Sequence, residues 1–216
     1  MTWMDISVPI TEELPVWPGN PPLRVDRLLD VCCGDEASVS QWTLGAHTGT
    51  HVDAPAHFIA GAPSLAEIPL QEWCGPCRVV ALPGCAAITL HQVEALPWQG
   101  VTKVLFKTDN SLWVNHQPWY KQPFNPHFVA VSLEAAQYLV AQGIALIGVD
   151  YLSVEAYGSV GAPVHRALLQ ANVRIVEGLN LTAVEPGDYQ LYCFPLAMAH
   201  AAAGDGALAR VALQPQ

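Results

Sequence analysis

Three imidazoles and one carboxylate fall within the eleven residues His47-Thr-Gly-Thr-His51-Val-Asp53-Ala-Pro55-Ala-His57. Neutral imidazole and carboxylate are the donors that hold zinc or manganese while leaving a position open for water. The run constrains the backbone as well as the chemistry, because ligand bonds are only ~2 Å long. In an extended chain rising ~3.3 Å per residue, His47 and His51 would stand ~13 Å apart. The chain must therefore bend between them, and Gly49 at the midpoint can take the angles a bend needs. His51 and Asp53 are two apart, so on a strand-like segment they point to the same side.

A helix is the weaker reading of this run. The zinc-protease helix carries two His at i and i+4 with a Glu beside the first. Here no Glu follows His47, and the intervening Thr, Gly and Val with the nearby Pro55 are poor helix formers. The competing reading is that each His is separately satisfied in the core or at the surface. That would be the default for one His, but three with an Asp at this spacing point to a shared ion and hence to a divalent-metal hydrolase.

At 216 residues, one domain spanning 1–216 is expected. Hydrophobic residues make up 51% and DEKR only 13%, sparse for a monomer's surface, so a homo-oligomer is predicted. Nine basic residues against nineteen acidic ones, with no Lys/Arg cluster, argue against nucleic acid as a partner. The opening Met-Thr-Trp-Met-Asp-Ile lacks the basic-then-apolar pattern of a secretion signal, and the longest apolar stretch, Tyr138 to Val149, is too short to span a bilayer. A cytoplasmic protein without a membrane segment is the expectation.

Six cysteines in such a chain are expected to be free thiols. Trp73-Cys74-Gly-Pro-Cys77 reads letter for letter like the thioredoxin redox motif, which makes a thiol oxidoreductase using Cys74 and Cys77 the rival from another class. That motif caps a helix, whereas Cys77 here leads into Arg-Val-Val-Ala-Leu-Pro-Gly, a β-branched run closed by a turn signal. A turn entering a strand is the simpler reading.

Strands are predicted at 5–10, 23–31, 39–44, 78–82, 102–108, 145–149, 173–179 and 209–213, with a short helix at 89–96. Residues 14–23 carry four prolines and Trp17, an ordered loop rather than an element. Residues 109–126, rich in Trp, Asn and Pro, form a loop long enough to cover or build a site. Ser132 N-caps a helix with an apolar stripe at Leu133, Ala136, Leu139 and Val140, ended by Gly143. A second helix is predicted at 163–171, opening on Pro163, with His165 beside its apolar stripe. In the strand that follows, Val173, Ile175, Glu177 and Leu179 share one face. A carboxylate among three aliphatics is costly unless paired or ligated. Glu177 is therefore a ligand candidate, the alternatives being an edge strand with that face in water or pairing to an Arg. Residues 197–209, rich in Ala and Gly, read as a surface loop.

His47-Thr-Gly-Thr-His51-Val-Asp53-Ala-Pro55-Ala-His57-Phe58 resembles the HxGTHxDxPxHF signature of the metal-dependent cyclase family, which includes the bacterial kynurenine formamidases. Asp5-Ile-Ser, Pro15-Val-Trp17-Pro-Gly, Lys107-Thr108 with Trp113, Val149-Asp150 with Ser153, and His165 twelve residues before Glu177-Gly-Leu extend the resemblance nearly end to end. It implies an α/β fold, a swivelling β/β/α domain with a mixed, barrel-like sheet and flanking helices, assembled as a homodimer or homotetramer. It also implies one or two Zn2+ ions, with Mn2+ as the other candidate, held by His47, His51 and Asp53 and by Asp53, His165 and Glu177. His57 is implied as proton donor and acceptor, and Trp17 as a substrate contact. Where many formamidases carry two adjacent histidines this chain has His165-Arg166, and Val149-Asp-Tyr-Leu-Ser153 is as similar to the broader family as to the formamidase branch.

The chemistry agrees with that reading. A divalent ion lowers the pKa of bound water toward neutrality, giving a hydroxide for attack on a polarised acyl carbon. His57, past Pro55 and four residues beyond Asp53, is placed to carry the proton to the leaving amine, unless it ligates too. Trp17 and Trp113 would supply flat apolar walls for an aromatic substrate. The expected reaction is hydrolysis of a small aromatic amide, N-formylkynurenine to kynurenine and formate, with a cyclic amide or lactone such as isatin as the alternative substrate.

Overall fold

The computed structural model describes residues 2–111, 117–198 and 204–216. Its strands are β1 (Met4–Asp5), β2 (Arg24–Leu29), β3 (Val39–Thr43), β4 (His51–Asp53), β5 (Gly75–Leu82), β6 (Lys103–Thr108), β7 (Leu146–Val149), β8 (Arg174–Glu177), β9 (Gly187–Pro195) and β10 (Gly206–Pro215). Its α-helices are α1 (Leu90–Glu94), α2 (Leu133–Ala141) and α3 (Pro163–Gln170). Eight strands form one sheet in the order β1-β10-β4-β8-β7-β6-β5-β9, and β9 pairs back onto β10. That last pairing closes seven strands into a barrel and leaves β1 outside on the edge. The run β5 to β8 is parallel and the remaining pairs antiparallel, the mixed sheet that the family resemblance implies.

The parallel strands are apolar on both faces because both faces are covered. Val80, Val104, Phe106, Ile147, Val149 and Ile175 pack outward against the three helices. Val79, Leu105, Leu146, Val176, Leu191 and Val211 fill the barrel. The helix starts follow from local chemistry. Ser132 Oγ accepts from the Ala135 amide at 3.2 Å, and Thr89 and Gln92 form a reciprocal capping box.

Some elements differ from expectation. The first strand stops at Asp5, because Ser7 turns to bond Val211 through its side chain and the Val8 amide goes to Thr50 Oγ1. Strands β2 and β3 do not join the barrel; they pair only with each other as a projecting ribbon. The last strand begins at Gly206, three residues before the predicted start, because Gly206, Ala207 and Leu208 pair with Asp53, Val52 and His51. Strand β8 ends at Glu177 because Gly178 takes φ +71° and turns the chain. Val173 and Ile175 thus face the helices, while Leu179 drops into the barrel interior, contrary to the single face expected. Trp113 lies outside the described residues.

The Cys74–Cys77 segment is no redox helix. A 3₁₀ turn ends at Trp73 and β5 begins at Gly75, which places Cys77 inside the barrel, where burial pushes its thiol up to about 12. A thiol so protonated is a poor nucleophile. No helix among the described residues is long and apolar enough to cross a membrane.

Candidate metal centre

The bend required between His47 and His51 is present. Gly49 has φ +62°, and a Cβ there would stand 2.9 Å from Ile10 Cδ1. The chain then enters β4, where His51 sits opposite Glu177 of β8 across an antiparallel pair. Val52 points into the barrel, so His51 and Asp53 point out toward the helices. His165 arrives from the first turn of α3. Glu177 is therefore on an interior strand, 3% exposed, with histidines and not an arginine beside it. Gly178 permits this approach, since a Cβ there would lie 2.0 Å from the Gly49 carbonyl oxygen.

The ring nitrogens and carboxylate oxygens converge in two triads that share Asp53. One ligating atom each from His47, His51 and Asp53 lie within 4.8 Å of one another, and so do those of Asp53, His165 and Glu177. His47 Nδ1 is 2.8 Å and His51 Nε2 3.8 Å from Asp53 Oδ1. His165 Nε2 is 3.5 Å from Asp53 Oδ2 and 3.3 Å from Glu177 Oε1, and His51 Nε2 is 3.2 Å from Glu177 Oε2. The five predicted ligand candidates are thus brought together.

Two carboxylates and three imidazoles at this density fit a divalent ion. The decisive detail is Asp53 Oδ2, a buried oxygen that receives no hydrogen bond. A buried carboxylate oxygen left without a donor is costly, and a cation between the triads would relieve it. Burial alone would raise the Asp53 carboxyl, but the His165 and His47 rings hold it well below the ordinary carboxylate range. Burial likewise opposes charge on His47, yet Asp53, Asp205 and Glu177 outweigh it and push the ring up to about 9.

His57 ends a 3₁₀ turn, Pro55–His57, and stacks on His47 with ring centroids 3.9 Å apart. Its own pKa is lowered, chiefly by burial. One atom of its ring also lies within 4.8 Å of donor atoms of His47 and Asp205, so the geometry accommodates both the proton-transfer and the ligand role. Trp17 lines the same cavity, of about 400 Å³, and packs edge-on against Tyr157 and Phe124 at 5.4 and 5.6 Å.

Two site carboxylates escape a reading of the sequence. Asp205 Oδ2 lies 3.0 Å from His47 Nε2, and Glu155 Oε2 lies 3.3 Å from His165 Nδ1. The only signal for Asp205 is a lone acid between Gly204 and Gly206 in an Ala-rich stretch; for Glu155 it is Ser153-Val-Glu after a buried strand. Asp150, at the end of β7, holds the turn that follows β6: it accepts from the amides and hydroxyls of Thr108 and Ser111.

The family model described as putative cyclase matches residues 4–156. The chain belongs to this family. Among its relatives is a kynurenine formamidase of Geobacillus thermodenitrificans, 34% identical over 212 residues that cover 98% of this chain and 97% of that protein. A solved structure described as a potential metal-dependent hydrolase with cyclase activity superposes with TM-score 0.82 at 32% identity, covering 98% of this chain and 96% of the other. Isatin hydrolase A from Ralstonia solanacearum shares the fold, with TM-score 0.77 at 21% identity and coverage of 100% and 92%. The putative-cyclase match ends before His165 and Glu177, so the second triad rests on the geometry itself.

Proposed function

We propose that this chain is a metal-dependent hydrolase of a small aromatic amide, with N-formylkynurenine as substrate and kynurenine and formate as products. The observation that carries the reading is the pair of triads meeting at Asp53, whose Oδ2 receives no hydrogen bond, beside a cavity lined by Trp17, His47, His51, His165 and Glu177. The formamidase relative at 34% identity supports the substrate class.

His47, His51 and Asp53 would hold one ion, and Asp53, His165 and Glu177 a second, Zn2+ or Mn2+. A bound ion supplies Lewis acidity, lowering the pKa of a ligated water and polarising the acyl oxygen. His57, neutral because burial lowers its pKa, accepts a proton from the attacking water on a ring nitrogen and returns it to the leaving aniline nitrogen as the formyl C–N bond breaks. Trp17 and Phe58 give the aryl ring apolar surface in the cavity, and the small formyl group leaves the carbonyl carbon unshielded. The projecting ribbon, which exposes Leu28, Leu29, Val31, Val39 and Trp42, supports self-association as a homodimer or homotetramer. Six free thiols are in keeping with a cytoplasmic setting.

The test is kcat/KM for N-formylkynurenine, isatin and an aryl lactone, side by side, with zinc and with manganese. Formamide hydrolysis should dominate and should vanish on chelation. A hundredfold preference for either ring substrate, ~2.7 kcal/mol of transition-state discrimination, would replace the formamidase assignment with a cyclic amide or lactone hydrolase.

A further inference from the structure

Three histidines of the centre have one ring nitrogen directed at the shared carboxylates, and each has its other nitrogen anchored. His51 Nδ1 meets the Gly49 carbonyl at 2.9 Å, His47 Nε2 meets Asp205 at 3.0 Å and His165 Nδ1 meets Glu155 at 3.3 Å. The third anchor differs from the other two, because Glu155 also holds the element that carries its histidine. Glu155 Oε2 accepts from the amides of Val164 at 2.9 Å and His165 at 3.2 Å, and Oε1 accepts from Ser159 Oγ at 2.7 Å. These amides are in the first turn of α3, whose N-cap, Ala162, is a left-handed residue with no capping side chain. A carboxylate from the preceding loop does the work that an N-cap Ser or Asp does elsewhere, and its charge suits the positive end of the helix.

We propose that Glu155 is the positioning residue of the second triad: one buried carboxylate caps α3 and accepts Nδ1–H of His165, so that Nε2 presents its lone pair to the ion. Outer-shell carboxylates of this kind fix the tautomer, orient the ring and raise ligand basicity, and their loss typically weakens metal affinity ~10–100-fold. Here the same oxygen serves the ring and the helix amides, which couples the ring's orientation to the seating of the helix. The inference rests on the metal-hydrolase reading and is tested apart from turnover.

Zinc is titrated into chelator-stripped wild type, Glu155→Gln and Ser159→Ala against a competing chromophoric chelator. Glutamine retains an acceptor for the α3 amides but removes the charge behind His165. The expected result is that Glu155→Gln binds one ion as tightly as wild type and the other ~10–100-fold more weakly. Ser159→Ala, which leaves the His165 contact in place, should keep both affinities. Thermal midpoints of the metal-free proteins should agree within a few degrees. Independently, ¹⁵N imidazole shifts of the zinc-loaded wild type should show His165 protonated at Nδ1 and ligated at Nε2, a result that needs no variant to fold. Unchanged affinities in Glu155→Gln, equal weakening of both ions, or ligation through Nδ1 would each overturn the proposal. A wild type that binds neither zinc nor manganese would remove the function reading itself, whereas two tight ions in both proteins would remove this inference alone.

Discussion

Asp205→Asn separates the two carboxylates that grip His47. In the metal-free protein the His47 imidazole stands at about 9 against an ordinary 6.5. That rise is on the order of 3 kcal/mol of net preference for the charged ring over the neutral one. Asp53 carries the larger part, because its oxygen is 2.8 Å from Nδ1 and its side chain only 1% exposed. Asp205, 3.0 Å from Nε2 but 35% exposed, is screened by solvent and should carry ~1 kcal/mol. Asp205→Asn should therefore lower His47 by somewhat under ~1 unit and leave it still above 6.5. The assay is a pH titration of the His47 ring by NMR in chelator-stripped wild type and variant. The sign for stability follows from linkage. A histidine raised on folding stabilises fully below its unfolded value near 6.5, and that contribution is lost as pH rises through about 9. The variant should thus be less stable than wild type at about pH 6 and nearly equal to it at about pH 10. An unchanged His47 titration, or a stability gap that widens with pH, would refute the assignment of Asp205 to this ring.

Three further outcomes follow from the same geometry. His57→Ala should keep its metal by elemental analysis and lose ~10²–10⁴ of turnover, whereas lost stoichiometry would make His57 a ligand. The Cys74→Ser/Cys77→Ser double variant should retain hydrolytic activity, and the wild type should not reduce insulin disulfides; thioredoxin-like turnover would contradict the strand placement of Cys77. Gly178→Ala should cost at least ~3 kcal/mol, or a fall in Tm of ~6–12 °C, because a Cβ there meets the Gly49 carbonyl at 2.0 Å in a left-handed backbone. It should weaken zinc binding as well, since Gly49 and Gly178 seat the strands that carry His51 and Glu177; a variant as stable as wild type would show that the two backbones separate at little cost.

What was legible in the sequence is local or periodic. His47 to His57 announce an ion because the donors are crowded into one short run, and Gly49 announces the bend because only a flexible residue reconciles that spacing with short ligand bonds. The cap at Ser132 and the apolar runs of β6 and β7 were readable for the same reason: their partners lie within a turn or on one strand. His165 and Glu177 were supplied by the resemblance, and Glu177 also by its cost among aliphatics. Tertiary structure alone decided the rest. The closure of β9 onto β10 makes a barrel, and it is the pairing of β10 with β4 and of β4 with β8 that brings residues 47, 177 and 205 together. The inward turn of Leu179 depends on a positive φ that alternation cannot foresee. Asp205 and Glu155 stayed hidden because each acts on a ring brought close by folding, Asp205 on His47 from 158 residues away and Glu155 on His165 across the loop that precedes α3. A contact between side chains that share neither a strand face nor a helical turn leaves no period in the chain, and only the folded backbone creates it.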